Sequence, residues 1–117
     1  MPKHILVVLS ADPPEMSAEM EAWSKEHIVH MVETPTFKNA QAFRFHQEHT
    51  FAFPETVPTR PPYQNLVIYE IPEEEVDAFL HPNLSDMAPP PQPPGGIGPN
   101  RPDGYLFVAT TDVVGEA

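Results

Sequence analysis

Residues 16–37 read MSAEMEAWSKEHIVHMVETPTF, and this stretch decides how the rest of the chain is arranged. Trp23, His27 and Met31 follow one another at four-residue steps, which at about 100° per residue stacks their side chains on one helix face. Met16, Met20, His30 and Thr34 fall on the same stripe, within an arc of roughly 100°. The helix runs to about Glu33, because Pro35 disfavours helical geometry at Thr34. Two starts compete. Asp12-Pro13-Pro14-Glu15 supplies an Asp cap, Pro in the first turn and Glu three residues after the cap, while Ser17-Ala18-Glu19 offers an alternative about one turn later. A helix that buries Trp, Met and two His on one face puts titratable groups where water is scarce.

Outward from this helix the chain alternates. Upstream, His4–Ser10 is a continuous β-rich run, the pattern of a strand covered on both faces. Downstream, residues 39–46 form a second strand, with Phe43 and Phe45 on one face and Ala42, Arg44 and His46 on the other. A loop holding Pro54, Pro58, Pro61 and Pro62 follows over 51–62. Residues 64–71 make a third strand, with Leu66 and Ile68 opposed to Val67, Tyr69 and Ile71. Pro72 and the acidic Glu73-Glu74-Glu75 open a short helix through Val76, Phe79 and Leu80, ended by Pro82. Residues 88–102 hold seven prolines and three glycines and form neither helix nor central strand. A last strand, 105–114, is apolar on both faces. The order β-α-β-β-α-β predicts one α+β domain over 1–117, a ferredoxin-like antiparallel sheet with both helices on one face. Because the strands are apolar on both faces, the open side needs a cover. A second copy of the sheet is the simplest one, giving a barrel closed across a homodimer.

Composition narrows the function classes. With 17 Asp and Glu against 6 Lys and Arg, the formal net charge is −11. Such a field repels phosphate backbones and anionic lipids, so neither nucleic acid nor membrane is an expected partner. The absence of cysteine excludes thiolate metal sites and thiol nucleophiles. The longest apolar run, residues 5–9, is too short to span a bilayer and lacks a signal-peptide cleavage site, so the cytoplasm is the expected compartment. No Gly-rich phosphate loop follows a strand, since Gly95-Gly96-Ile97-Gly98 lacks that context, and no serine nucleophile motif is present.

Trp23-x-x-x-His27, Thr34-Pro35-Thr36-Phe37, Ala42-x-Arg44-Phe45, Tyr63 and Leu66-Val67-Ile68-Tyr69-Glu70 occur in that order. Together they resemble the dimeric α/β-barrel superfamily, in particular its EthD-like branch, over about residues 4–79. Thr36 stands where that family commonly has Gly, and the Pro-rich segment has no counterpart in it. The resemblance implies a homodimer with a cavity in each protomer between sheet and helices. The superfamily includes cofactor-free monooxygenases, cyclases, decarboxylases, dehydratases and lactone isomerases, and also many proteins without known activity, so the fold leaves the reaction open.

His27 is the leading candidate general base or acid, against the plainer reading of a core histidine bonded to a carbonyl. Arg44 and His46 share a strand face, where Arg44 would bind a carboxylate or phenolate and His46 would move a proton; the competing reading pairs Arg44 with an acidic residue. The Tyr69 hydroxyl would orient a substrate oxygen. Trp23, Met20, Met31 and His30 would line a pocket for a flat hydrophobic molecule, since Met adapts to irregular shapes. The pairs His27/His30 and His46/His49 lack a third ligand, so no metal and no cofactor is expected. Pro90-Pro91-Gln92-Pro93 fits P-x-x-P spacing, but a stiff loop packed over the dimer or the cavity mouth is the preferred reading. The sequence therefore predicts a small cofactor-independent enzyme doing proton-transfer chemistry on an aromatic or polyketide-like molecule. Its alternatives are a cofactor-free monooxygenase on the same scaffold, a non-catalytic dimeric binding module and a metal-dependent variant using the histidines.

Overall fold

In the computed structural model, which describes residues 3–46, 63–82, 93–95 and 102–116, six elements follow the expected order. They are β1 (His4–Ser10), α1 (Ser17–Val32), β2 (Asn39–Arg44), β3 (Asn65–Ile71), α2 (Glu73–Leu80) and β4 (Asp103–Val108). The strands form one antiparallel sheet in the order β2-β3-β1-β4. The fold is thus α+β, with four antiparallel strands and two helices, compatible with the ferredoxin-like arrangement. The loop expected over 51–62 and most of the Pro-rich stretch lie outside the described residues.

Register fixes which side chains share a face. Leu6 sits opposite both Tyr69 and Leu106, and Val8 opposite Val67 and Gly104. Ala40 and Ala42 sit opposite Tyr69 and Val67. This face meets the helices: Phe37, Tyr69 and Ile71 form a buried cluster, and Ile28 and Met31 of α1 and Val76 and Phe79 of α2 pack on it. Tyr69 and Ile71 are only 3% and 1% exposed, so the core lies between the sheet and this layer. On the opposite face the pairs are Leu9 with Leu66, Val7 with Ile68 and Tyr105, Ile5 with Phe107, and Leu66 with Phe43. Phe43, Phe45, Tyr105 and Phe107 are exposed large apolar side chains there, Phe107 at 53%. The alternation expected on β3 and on the Phe43 side of β2 is the observed one.

The structure decides between the two helix starts the sequence offers, and two strand boundaries differ from the sequence reading. Helix α1 starts at Ser17, not at Asp12: a turn closed by Met16 N–H on the Pro13 carbonyl (3.1 Å) intervenes, and Glu15 adopts a left-handed φ of 60°. Two consecutive prolines and a left-handed residue redirect the chain before helical hydrogen bonds can begin. Met16 takes the cap position without a side-chain hydrogen bond. Strand β2 ends at Arg44 rather than at His46, since β3 begins only at Asn65; a last bond joins Phe45 N–H to the Gln64 carbonyl at 2.9 Å. Strand β4 covers Asp103–Val108 rather than 105–114. Its partner β1 starts at His4, opposite Val108, and among the described residues the pairing ends with a bond from Ala109 N–H to the Lys3 carbonyl (2.7 Å). Val113 and Val114 are exposed accordingly.

Candidate functional site

Between α1 and the sheet lies a cavity of about 310 Å³, at the small end of the roughly 300–1,000 Å³ range of small-molecule sites. Its floor is Leu6 and Val8 of β1 with Val67 and Tyr69 of β3, the inward-facing positions of the two central strands. Its roof is α1, which contributes Met20, Trp23, Ser24, His27, Ile28 and Met31. These positions recur at three- and four-residue spacing, so one face of the helix supplies them all. Phe37 and Phe79 close one end; Ser10, Pro93 and Pro102 complete the wall. Phe37 sits with its ring centroid 4.7 Å from Tyr69 and 6.0 Å from Phe79, in tilted and edge-on geometry.

His27 and Trp23 are stacked, with ring centroids 4.4 Å apart and planes 13° from parallel. The one-turn spacing brings the rings together, and both are half-buried. Burial, reinforced by the nearby His30, holds the His27 imidazole below its ordinary value of 6.5, so it is a neutral base at pH 7. Burial pushes the Tyr69 hydroxyl up to about 12, so it stays a protonated donor. The cavity therefore combines a neutral imidazole, a phenolic donor, the Ser10 and Ser24 hydroxyls and the Trp23 indole in a wall whose other described side chains are apolar.

The structure brings together His27, Tyr69, Trp23, Met20 and Met31 as the sequence expected. It leaves out His30, Arg44 and His46. His30 is exposed, with Nδ1 3.9 Å from the Glu33 carboxylate. On the helical wheel it lies about 90° from the middle of the arc that meets the cavity. His46 lies beyond the end of β2 and is exposed.

Arg44 realises the ion-pair reading. Its two terminal nitrogens donate to the two carboxylate oxygens of Asp12 at 2.9 and 3.0 Å, and Nη1 also donates to Asn65 Oδ1 at 2.6 Å. Asn65 in turn donates to Asp12 Oδ1 (2.8 Å), and Ser17 Oγ to Asp12 Oδ2 (2.9 Å). The network ties the β1–α1 connection to the ends of β2 and β3. Burial raises the Asp12 carboxyl, but the hydrogen bonds from Arg44, Asn65 and Ser17 and the guanidinium charge outweigh it and hold Asp12 below its ordinary 3.8.

Sequence reasoning missed Phe37, Phe79, Ser10 and Ser24 as wall residues, while Pro93 and Pro102 belong to the Pro-rich segment expected over the dimer or the cavity mouth. Ser24 was legible, being one turn before Ile28 and adjacent to Trp23 on the same helix face. The others reach the cavity from separate elements. Pro93 and Gly95 place part of the Pro-rich segment against the β1–α1 connection: a Cβ built on Gly95, whose φ is +77°, would meet Pro13 carbons at 3.1 and 3.2 Å. Glycine is therefore required there on both conformational and steric grounds.

Among the described residues, no group of three His, Asp or Glu comes together as a metal site, and no helix is long and apolar enough to cross a membrane. Comparison with known proteins finds no matching family, no matching curated protein and no matching solved structure.

Proposed function

We propose that the chain is a cytoplasmic, homodimeric, cofactor-independent enzyme of the dimeric α/β-barrel type, EthD-like in its motifs, that moves a proton on a hydrophobic aromatic or polyketide-like substrate. The observation that carries this reading is His27: a desolvated, neutral imidazole stacked on Trp23 in the wall of an apolar cavity. His27 takes a proton from a carbon beside a carbonyl, and the resulting enolate oxygen is held by a hydroxyl donor, with Tyr69 in that role. The proton returns from His27 at the same or a neighbouring carbon. This step is shared by isomerisation, dehydration, cyclisation and lyase cleavage, and the wall supports all of them equally. The apolar outer sheet face supports the dimer, in which a second copy would cover Phe43, Phe45, Tyr105 and Phe107.

The test needs no knowledge of the natural substrate. 2-Tetralone is a bicyclic aromatic ketone whose α-protons exchange in D2O and are followed by NMR. The wild-type protein is expected to accelerate this exchange, and His27→Gln to reduce the acceleration by about 10²-fold, with an unchanged melting temperature. Equal rates in wild type and His27→Gln would remove His27 from the mechanism.

A further inference from the structure

The cavity wall is unlike the rest of the chain. Among its described residues the polar side-chain groups are hydroxyls, one imidazole and the Trp23 indole N–H, with no Asp, Glu, Lys or Arg, in a protein where 17 acidic and 6 basic side chains are spread over 117 residues. Arg44, the cation whose strand position faces the helices, is engaged at the sheet's end by both oxygens of Asp12 and by Asn65. Lys25 lies one residue from the wall residue Ser24, but pairs with Glu21 at 3.7 Å, and both face a separate, smaller pocket between α1 and β2. Among the described residues, ionised groups thus stand near the cavity without lining it.

We propose that this cavity selects uncharged ligands, aromatic molecules carrying a hydroxyl or carbonyl, and rejects their carboxylate and ammonium counterparts. The inference refines the substrate reading above and rests on it. A carboxylate entering the cavity gives up its hydration, and the described wall offers hydroxyl, imidazole and indole dipoles but no counter-charge to replace it. An ammonium meets the same deficit. The chain's net charge of −11 adds a long-range penalty for anions. A neutral hydroxyl or carbonyl loses far less on transfer, and Tyr69, Ser24 or His27 supplies its hydrogen bond while the rings replace water against apolar walls. The same desolvation already acts on the protein's own groups, favouring neutral forms of both His27 and Tyr69.

Trp23 is the single tryptophan and lines the cavity, so its indole N–H gives one NMR cross-peak that reports on this site alone. Three probes of the same ring size are titrated at neutral pH: 2-naphthol, 2-naphthoate and 2-naphthylmethylammonium. The expected result is a saturable shift of the Trp23 signal by 2-naphthol, with a Kd at least tenfold lower than for either ion. An ion that shifts the signal with a Kd equal to or below that of 2-naphthol overturns the charge selection while leaving the cavity a ligand site. No saturable shift from any of the three overturns the ligand-cavity reading itself, and this inference with it.

Discussion

A single imidazole carries most of the proposed chemistry, and its environment has consequences that can be measured without a substrate. His27 is stacked on the only tryptophan, and an imidazolium in that position quenches indole emission. Trp23 fluorescence should therefore fall as pH drops, with a midpoint below the ordinary histidine value of 6.5, and His27→Gln should abolish the transition. A midpoint above 6.5 would mean that the ring is not desolvated in solution. Stability follows with a fixed sign. A folded-state value held below the unfolded one means that the unfolded chain binds more protons, so the contribution of His27 is complete above about pH 6.5 and is lost as pH falls through the folded value. The urea midpoint of the wild type should drop more steeply below pH 6.5 than that of His27→Gln. The stacking partner of His27 was legible in the sequence, because four-residue spacing on a helix is a local property. The exposure of His30 was not, since it sits at the rim of the same stripe and only the position of the sheet decides on which side of that rim it falls. Phe37 was hidden for a related reason: it lies past the helix stop, and its place is set by contacts with Tyr69 and Phe79, distant in sequence.

The connection between β1 and α1 shows how elements were read correctly in kind and misread at their ends. Asp12 resembles a helix cap, yet its carboxylate is committed to Arg44, Asn65 and Ser17, and the helix begins at Ser17. No local pattern announces a partner 32 residues away. The pairing matters for the site because it fixes the approach to α1, whose inner face roofs the cavity. Asp12→Asn should cost about 1–3 kcal/mol of stability at pH 7, since it leaves a partly buried guanidinium without its charged partner. Denaturant titration reads this directly. The sign of the pH dependence is again set: Asp12 is held below its ordinary 3.8, so its contribution is complete above that value and is lost as pH falls through the folded one. The difference between wild type and Asp12→Asn should shrink accordingly under acid, and a difference that grows there would rule out the charged network. Strand ends follow the same logic. Alternation predicts that β2 and β4 are strands, but their lengths are set by where β3 and β1 run out of residues to pair with.

At the scale of the whole molecule, the sheet has one face under two helices and one apolar face without a cover among the described residues. The proposed dimer places two such faces together, excluding water from a large apolar area. Each copy carries a net charge of −11, so association should strengthen as salt screens the repulsion. Phe107→Glu puts a charge on that apolar face, opposite Ile5 on the neighbouring strand. Sedimentation should show a dimer for the wild type and a monomer for Phe107→Glu, with the helix-side core and Trp23 emission unchanged. A monomeric wild type at high salt would refute the paired-sheet arrangement. The sequence by itself determined the kind and order of the elements, the face of α1 that carries Met20, Trp23, His27 and Met31, and the double-sided apolar strands. These depend on side-chain periodicity and on proline and glycine, all of which act within a few residues. Only the tertiary structure decided where strands end, which polar groups enter the cavity and which are consumed by ion pairs. Those outcomes depend on register between strands and on contacts across dozens of residues, where the energy of one distant hydrogen bond outweighs a local preference.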